Sequence, residues 1–242
     1  MSMSEKISFI IDGQNVEALP GQTIMEAADE AGIYIPRLCF LKGLSIHGSC
    51  RLCTVKVNGR PQSACNQPVM SGAVVEANTE ELNNLRRDIL DMLFVEGNHF
   101  CMFCEKSGNC ELQAQAYRLG IMAPKFPQLS PSRNVDATHP DILLDNNRCI
   151  LCGRCVRASK EIDGKNALDF VNRGAKKALA ANSSKGLGGT SIEVKDKALQ
   201  VCPVGALIPK RKGYVVPIGE RTYDHQPIGT DILKEKGTDG KA

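Results

Sequence analysis

The chain has 242 residues, 24% of them charged, and a net charge of +3. That balance excludes the basic surface of a nucleic-acid binder and the charge blocks of an acidic tail. No apolar run approaches the ~20 residues needed to span a bilayer, and the start MSMSEKISFIIDGQ lacks the basic-then-apolar order of a secretory signal. A cytoplasmic protein with no membrane span and no nucleic-acid partner is expected.

Residues 6–11, KISFII, alternate weakly and are rich in β-branched side chains. With a turn at Asp12-Gly13 they predict a hairpin returning over Val16–Leu19, which Pro20-Gly21 breaks. Thr23-Ile-Met-Glu26 matches a capping box, in which Thr and Glu satisfy each other's free helix-end N–H groups. Ile24, Ala27, Ala28 and Ala31 then share one helix face, and Gly32 is the expected stop. A long cysteine-bearing loop follows, then a strand over Thr54–Val57, the hairpin signal Asn58-Gly59, and another strand over Val74–Ala77. Hairpin, helix, long loop, hairpin is the order of a β-grasp ferredoxin-like domain, here over residues 1–78.

Residues 79–96 predict a helix with Leu82, Leu85, Ile89, Met92 and Leu93 on one face and Gly97 as its stop. A second helix over Glu111–Leu119 ends at Gly120. Together they predict a helical-hairpin module over 79–120 with cysteines at its turn. A proline-bearing connector, 121–140, leads to a compact cysteine-bearing segment over 141–212. Inside it, residues 173–191 read as an irregular insertion, and Gly186-x-Gly188-Gly189 follows no strand and makes no dinucleotide fingerprint. Residues 213–242 are polar and broken by prolines and glycines; they read as an arm lying on something, with a disordered end. The fold class expected is α+β. No module is large enough for a sizeable core, so ligand binding should supply part of the folding energy.

Eleven cysteines need a reason. In a reducing compartment metal ligation explains them better than disulfides, and the odd count argues against complete pairing. They fall into three groups. Cys39, Cys50, Cys53 and Cys65 make C-x10-C-x2-C-x11-C; the central C-x2-C matches a plant-type [2Fe-2S] ferredoxin with a longer first gap. Gly48 in that loop would let backbone N–H groups approach the cluster sulfurs, and four cysteines leave His47 as a surface histidine. Cys149, Cys152 and Cys155 make C-x2-C-x2-C, and Cys202 is followed by Pro203. This is half of a two-cluster bacterial ferredoxin: its next cysteine position is Ser159, so Cys202 must return through space to complete one [4Fe-4S] site. Zinc sites instead come as separated pairs.

The middle group, Cys101, Cys104 and Cys110, is one ligand short. His99 precedes it in H-x-C-x2-C-x5-C, and an imidazole nitrogen can bind iron as it does in Rieske centres. With His99 the ligands number twelve, three sites of four. The alternatives are a solvent ligand or a three-iron cluster.

In this order the three groups resemble the N-terminal iron–sulfur portion of the large peripheral subunit of respiratory complex I, and the accessory domains of iron-only hydrogenases and certain formate dehydrogenases, over about residues 5–212. In those proteins the histidine site usually reads H-x3-C-x2-C-x5-C; here the first gap is one residue. The segment GNHFCMFCEKSGNCELQ, the single-cluster third module and the length are most similar to the diaphorase small subunits of soluble bidirectional NAD-reducing nickel–iron hydrogenases. The resemblance implies one [2Fe-2S] cluster on Cys39, Cys50, Cys53 and Cys65, and two [4Fe-4S] clusters, on His99, Cys101, Cys104 and Cys110 and on Cys149, Cys152, Cys155 and Cys202. It implies a flavin/NAD-binding diaphorase subunit and the nickel–iron hydrogenase small and large subunits as partners. The residues add that the ~40 positions after Cys202 hold no further cysteine and no room for a molybdopterin domain or hydrogen-activating iron site, and that no flavin or nucleotide fingerprint is present, so no catalytic residue is expected and the chain should be a wire within an oxidoreductase complex. The competing readings are the equivalent subunit of a formate dehydrogenase or complex I-like NADH dehydrogenase, and a zinc-stapled interaction protein.

Overall fold

A computed structural model describes residues 6–129 and 131–233; residues 1–5, residue 130 and the end of the C-terminal arm, 234–242, lie outside the described residues. Strands β1 (Ile7–Ile11) and β2 (Gln14–Ala18) pair antiparallel from Ile7↔Ala18 to Ile11↔Gln14. Their two-residue turn places both Asp12 and Gly13 at positive φ, 47° and 80°, the left-handed backbone region that a tight hairpin turn requires to match the right-handed twist of its strands. Helix α1 (Ile24–Glu30) starts on the capping box: the Thr23 hydroxyl accepts from the Glu26 N–H at 3.3 Å, and the Glu26 carboxylate accepts from the Thr23 N–H at 2.8 Å. Thr23→Ala should therefore destabilise the chain by about 1 kcal/mol. A lowered denaturant midpoint with unchanged visible absorption would check it; an unchanged midpoint would contradict it.

Strands β3 (Thr54–Val57) and β4 (Arg60–Ser63) form the second hairpin through Asn58-Gly59. Strand β5 (Val74–Glu76) then enters the middle of the sheet, parallel to β1 and antiparallel to β3, giving the order β2-β1-β5-β3-β4. Ile24, Met25, Ala27 and Ala28 of α1 pack on Phe9, Ile11, Val16, Val55 and Val75 of this sheet, and Cys53 and Cys65 belong to the same core.

Helices α2 (Glu80–Glu96) and α3 (Glu111–Arg118) follow. The apolar face expected of α2 is corrected: its buried residues are Leu82, Arg86, Leu90, Asp91 and Val95, whereas Leu85 and Met92 are exposed. The helix turns a face containing two charged residues inward, which a count of apolar positions misses. Gly97 does end α2, but with extended backbone (φ −113°) rather than a left-handed cap. Its need is space, because a Cβ there would stand 2.4 Å from His99 Nε2.

The last segment contributes β6 (Val135–Asp136), β7 (Ile142–Asp145), helix α4 (Arg154–Glu161), β8 (Leu168–Val171), β9 (Ala178–Ala181), α5 (Lys197–Gln200) and β10 (Leu207–Pro209). They make a three-stranded sheet, β10-β7-β6, and a β8-β9 hairpin. The stretch expected as an irregular insertion is ordered: β9 pairs with β8 from Leu168↔Ala181 to Val171↔Ala178, and Leu179 and Leu187 are buried. Short apolar runs between glycines and lysines hid that strand. Gly186 and Gly188 instead let this segment close against Asp136 and Thr138.

A second core joins Leu38, Leu44 and Leu52 of the first segment to Leu90, Leu112 and Leu119 of the helices and to Ile142, Leu144 and Leu207 of the last sheet. The arm lies on the protein's own surface. Tyr214 Oη donates to the Phe103 carbonyl, the Tyr223 N–H to Gly108 O at 2.9 Å, and Arg118 Nη1 to Ile228 O at 3.0 Å. Among the described residues no helix is long and apolar enough to cross a membrane.

Candidate functional site

All eleven cysteines are unpaired by disulfides, and the fold gathers them with His99 into the three groups expected from the spacings. In the first, Cys39, Cys53 and Cys65 are buried and Cys50 partly so. Cys53 and Cys65 Sγ are 3.4 Å apart, and the Cys39 sulfur meets those of Cys50 and Cys65. The peptide N–H groups of Ser49 and Cys50 also point at Cys39, and that of Leu52 at Cys50. Gly48 permits this turn through its φ of +67°. These contacts hold the Cys39 thiol far below its ordinary range, while Cys53 is drawn down to about 7 by Cys65.

His47 does not join this group. Its ring stacks on Phe170 at 6.2 Å and lies 3.2 Å from where a Gly153 Cβ would stand. Gly153 is thus required twice, for that approach and for its φ of +69°.

In the middle group, His99, Cys101, Cys104 and Cys110 line one small cavity together with Phe94, Leu112, Arg148 and Gly205. The His99 ring packs edge-on against Phe94, centroids 5.6 Å apart. Burial first, then Arg148 and Arg133, bring its imidazole down to about 4, so the ring is neutral at pH 7. Its Nε2 is buried with no hydrogen-bond partner. A buried, neutral, unpartnered nitrogen is costly unless something binds it. Burial also pushes the Cys110 thiol up to about 12.

In the third group, Cys149, Cys152, Cys155 and Cys202 line a second void whose other walls are apolar, among them Phe170, Leu179, Val204 and Leu207. Burial raises Cys149 to about 11, Cys152 to about 12, and Cys155 well above its ordinary value. Thiols this buried ionise when a metal takes the proton's place. Ser159, at the position of the absent cysteine, is used by the fold: its Oγ accepts from the Ala167 N–H at 2.9 Å.

Two C-x2-C turns share a device that the sequence does not announce. Arg51, inside Cys50–Cys53, and Leu151, inside Cys149–Cys152, are non-glycine residues at φ 58° and 53°. Such conformers cost of order 1–3 kcal/mol and persist where their surroundings demand them. At Leu151 the twist aims its N–H at Cys149 Sγ, 3.4 Å away. Among the described residues no three His, Cys, Asp or Glu side chains converge as they would on a single ion. Thiols gathered around small cavities, inward N–H groups and one imidazole nitrogen without a hydrogen-bond partner fit a multi-iron cluster.

Three family models match in sequence order. They are a 2Fe-2S iron–sulfur cluster binding domain over residues 4–80, the NADH-ubiquinone oxidoreductase-G iron–sulfur binding region over 86–125, and the ferredoxin-like domain of NADH-quinone oxidoreductase subunit 3 over 139–208. The chain is 40% identical to the gamma subunit of the NAD-reducing hydrogenase HoxS of Cupriavidus necator, over 94% of this chain and 97% of that protein. It belongs to the family of these gamma subunits. A chain in the crystal structure of an NAD+-reducing [NiFe]-hydrogenase in the H2-reduced state aligns with a TM-score of 0.89 and 48% identity, covering 94% of this chain and 99% of that one. The gamma-subunit family is related in turn to longer proteins. The alpha subunit of the NADPH-Fe(3+) oxidoreductase of Geobacter sulfurreducens is 36% identical over 84% of this chain but only 24% of that protein. The mitochondrial 78 kDa subunit of the NADH-ubiquinone oxidoreductase of Neurospora crassa is 32% identical over 85% of this chain and 28% of that protein. Like its family, the chain is of mixed α/β construction and carries a 2Fe-2S domain and 4Fe-4S regions.

Sequence reasoning missed the arginines between the groups. Arg148 precedes Cys149, and its Nη1 lies 2.6 Å from Glu105 and 3.9 Å from Cys104 Sγ. Arg154 precedes Cys155 and holds Glu111, the residue after Cys110, with Nη1 at 2.6 Å; its Nη2 donates to the carbonyl of Phe40, next to Cys39, at 2.9 Å. Each charge sits beside a cysteine in the sequence, a signal that was readable. Which charge faces which was not.

Proposed function

We propose that the chain is a three-cluster electron relay in the cytoplasm. It would hold one [2Fe-2S] cluster on Cys39, Cys50, Cys53 and Cys65 in a β-grasp domain. One [4Fe-4S] cluster would sit on His99, Cys101, Cys104 and Cys110 in a helical-hairpin module, and another on Cys149, Cys152, Cys155 and Cys202 in a ferredoxin-like module. When bound, such clusters take up and release single electrons. The chain's own part is to bury the ligands, aim N–H groups at the sulfurs and fix the charges around them.

The protein is an iron–sulfur electron-transfer subunit of an NAD-reducing hydrogenase. The carrying observation is that similarity runs along nearly the whole gamma subunit and its solved counterpart, whereas in the complex I-type relatives it spans less than a third of the protein. The proposed partners are a flavin/NAD-binding diaphorase subunit at one end of the relay and the nickel–iron hydrogenase small and large subunits at the other.

Metal analysis of the full chain should find about ten iron atoms, two from the binuclear cluster and eight from the two cubanes. The purified complex should contain nickel. About three zinc atoms without iron would sink the relay, and molybdenum or tungsten in place of nickel would point to a formate dehydrogenase.

A further inference from the structure

Four arginines are buried: Arg37, Arg86, Arg154 and Arg157. Two have carboxylate partners, Arg37 with Asp29 and Arg154 with Glu111. The other two, among the described residues, make no ion pair. Arg157 on α4 spends its donors on backbone carbonyls. Nη2 reaches Cys39 O at 2.7 Å and Cys152 O at 3.4 Å, Nε reaches Gly153 O at 3.1 Å, and Nη1 donates to Ser45 O. Glu161, one turn further along α4, is exposed and accepts from Ser45; its carboxyl is held down first by Ser45 and to a lesser degree by the charge of Arg157, so water screens this one nearby carboxylate on the same helix. Arg86 on α2 donates to Leu52 O at 3.2 Å, to Thr54 O at 2.9 Å and to the Asn83 side chain.

A guanidinium stays protonated in proteins, and a buried charge without a counter-charge is strongly unfavourable. Both exceptions lie against ligand-bearing loops. Leu52 and Thr54 flank Cys53 of the first group. Cys39 belongs to the first group and Cys152 to the third, so Arg157 bridges the two. Four thiolates around iron carry net negative charge, and that charge grows by one when an electron arrives.

We propose that Arg157 is a counter-cation shared by the first and third cysteine groups, raising the reduction potential of both, and that Arg86 does the same for the first group alone. The inference rests on the ligand sets proposed above. An electron moving from one group to the other leaves one site oxidised and the other reduced by one unit, with no bond broken and no proton moved. A fixed positive charge between them lowers the energy of whichever side holds it. The middle group has neither arginine against its loop.

The test is a redox titration of the cluster-loaded full chain followed by electron paramagnetic resonance, with iron content measured in parallel. At fixed solution potential, Arg157→Gln should leave the first and third clusters roughly tenfold less reduced, equal to about 59 mV for a one-electron couple. Arg157→Lys, which keeps the charge, should stay near the parent. Arg86→Gln should shift only the first cluster. The middle cluster should not move in any variant.

Unshifted potentials with full iron in Arg157→Gln would overturn the proposal. So would equal shifts in the Gln and Lys variants, which would mean that geometry rather than charge is responsible. Should Arg157→Gln not retain iron, Arg86→Gln decides: an unchanged first-group potential there overturns it. Failure of the ligand sets themselves would look different, as missing iron in the unsubstituted chain.

Discussion

His99→Ala should remove the middle cluster and leave the other two in place. Iron should fall from about ten to about six atoms per chain, since one cubane of four is lost. The reason lies in the void around His99, which is lined by three cysteines and one imidazole whose Nε2 has nothing else to bond. The first and third groups have four cysteines each, so their spectra should survive. Nitrogen hyperfine coupling on the middle cluster of the parent, absent from the variant, would identify the ligand atom directly. His99→Cys should keep the iron but lower the potential, because a thiolate replaces a neutral ring and added negative charge favours the oxidised state. Full iron and an unchanged spectrum in His99→Ala would show that the fourth ligand comes from elsewhere.

Arg154→Ala should destabilise the protein by about 3 kcal/mol, the lower end for breaking a buried ion pair from one side. Arg154 is 2% exposed, while the Glu111 side chain is 24% exposed and can recover some water. The loss should appear as a fall of very roughly 6–12 °C in the thermal midpoint of the loaded protein. The cause is geometric: one guanidinium holds the loop after Cys39, the start of α3 after Cys110 and the turn before Cys155. Arg154→Met with Glu111→Leu should recover much of the loss, because replacing both partners leaves no buried charge behind. A double variant no better than the single one would mean that packing, not the unpaired charge, sets the cost.

The cysteine groups were legible because ligands must recur at short fixed gaps and because Cys202-Pro203 completes a recognisable run. The first hairpin and α1 were legible too, since turn chemistry and a capping box are local. What escaped was non-local. The inward face of α2 depends on carbonyls of the Leu52–Thr54 segment that Arg86 meets across the fold. Strand β9 exists because Leu168–Val171 is there to pair with it. The left-handed Arg51 and Leu151 have no composition signature, because glycine is the residue one would look for. His99 was a candidate from the ligand count and its place beside the cysteine-bearing turn; that its Nε2 is buried without a hydrogen-bond partner needed coordinates.

The core that runs from Leu90 and Leu112 to Ile142 and Leu207 has a consequence for how such a chain can be inherited. A gene break at the connector near residue 140 would leave two half-cores, each with an uncovered apolar face, and would separate Arg148 from Glu105 and Arg154 from Glu111. The sheet and α1 of the first segment keep a core of their own. Leu38, Leu44 and Leu52 nevertheless lie in the joint core, and Arg157 and Arg154 on α4 hold the carbonyls of Cys39 and Phe40, so all three segments should travel between genes as one block.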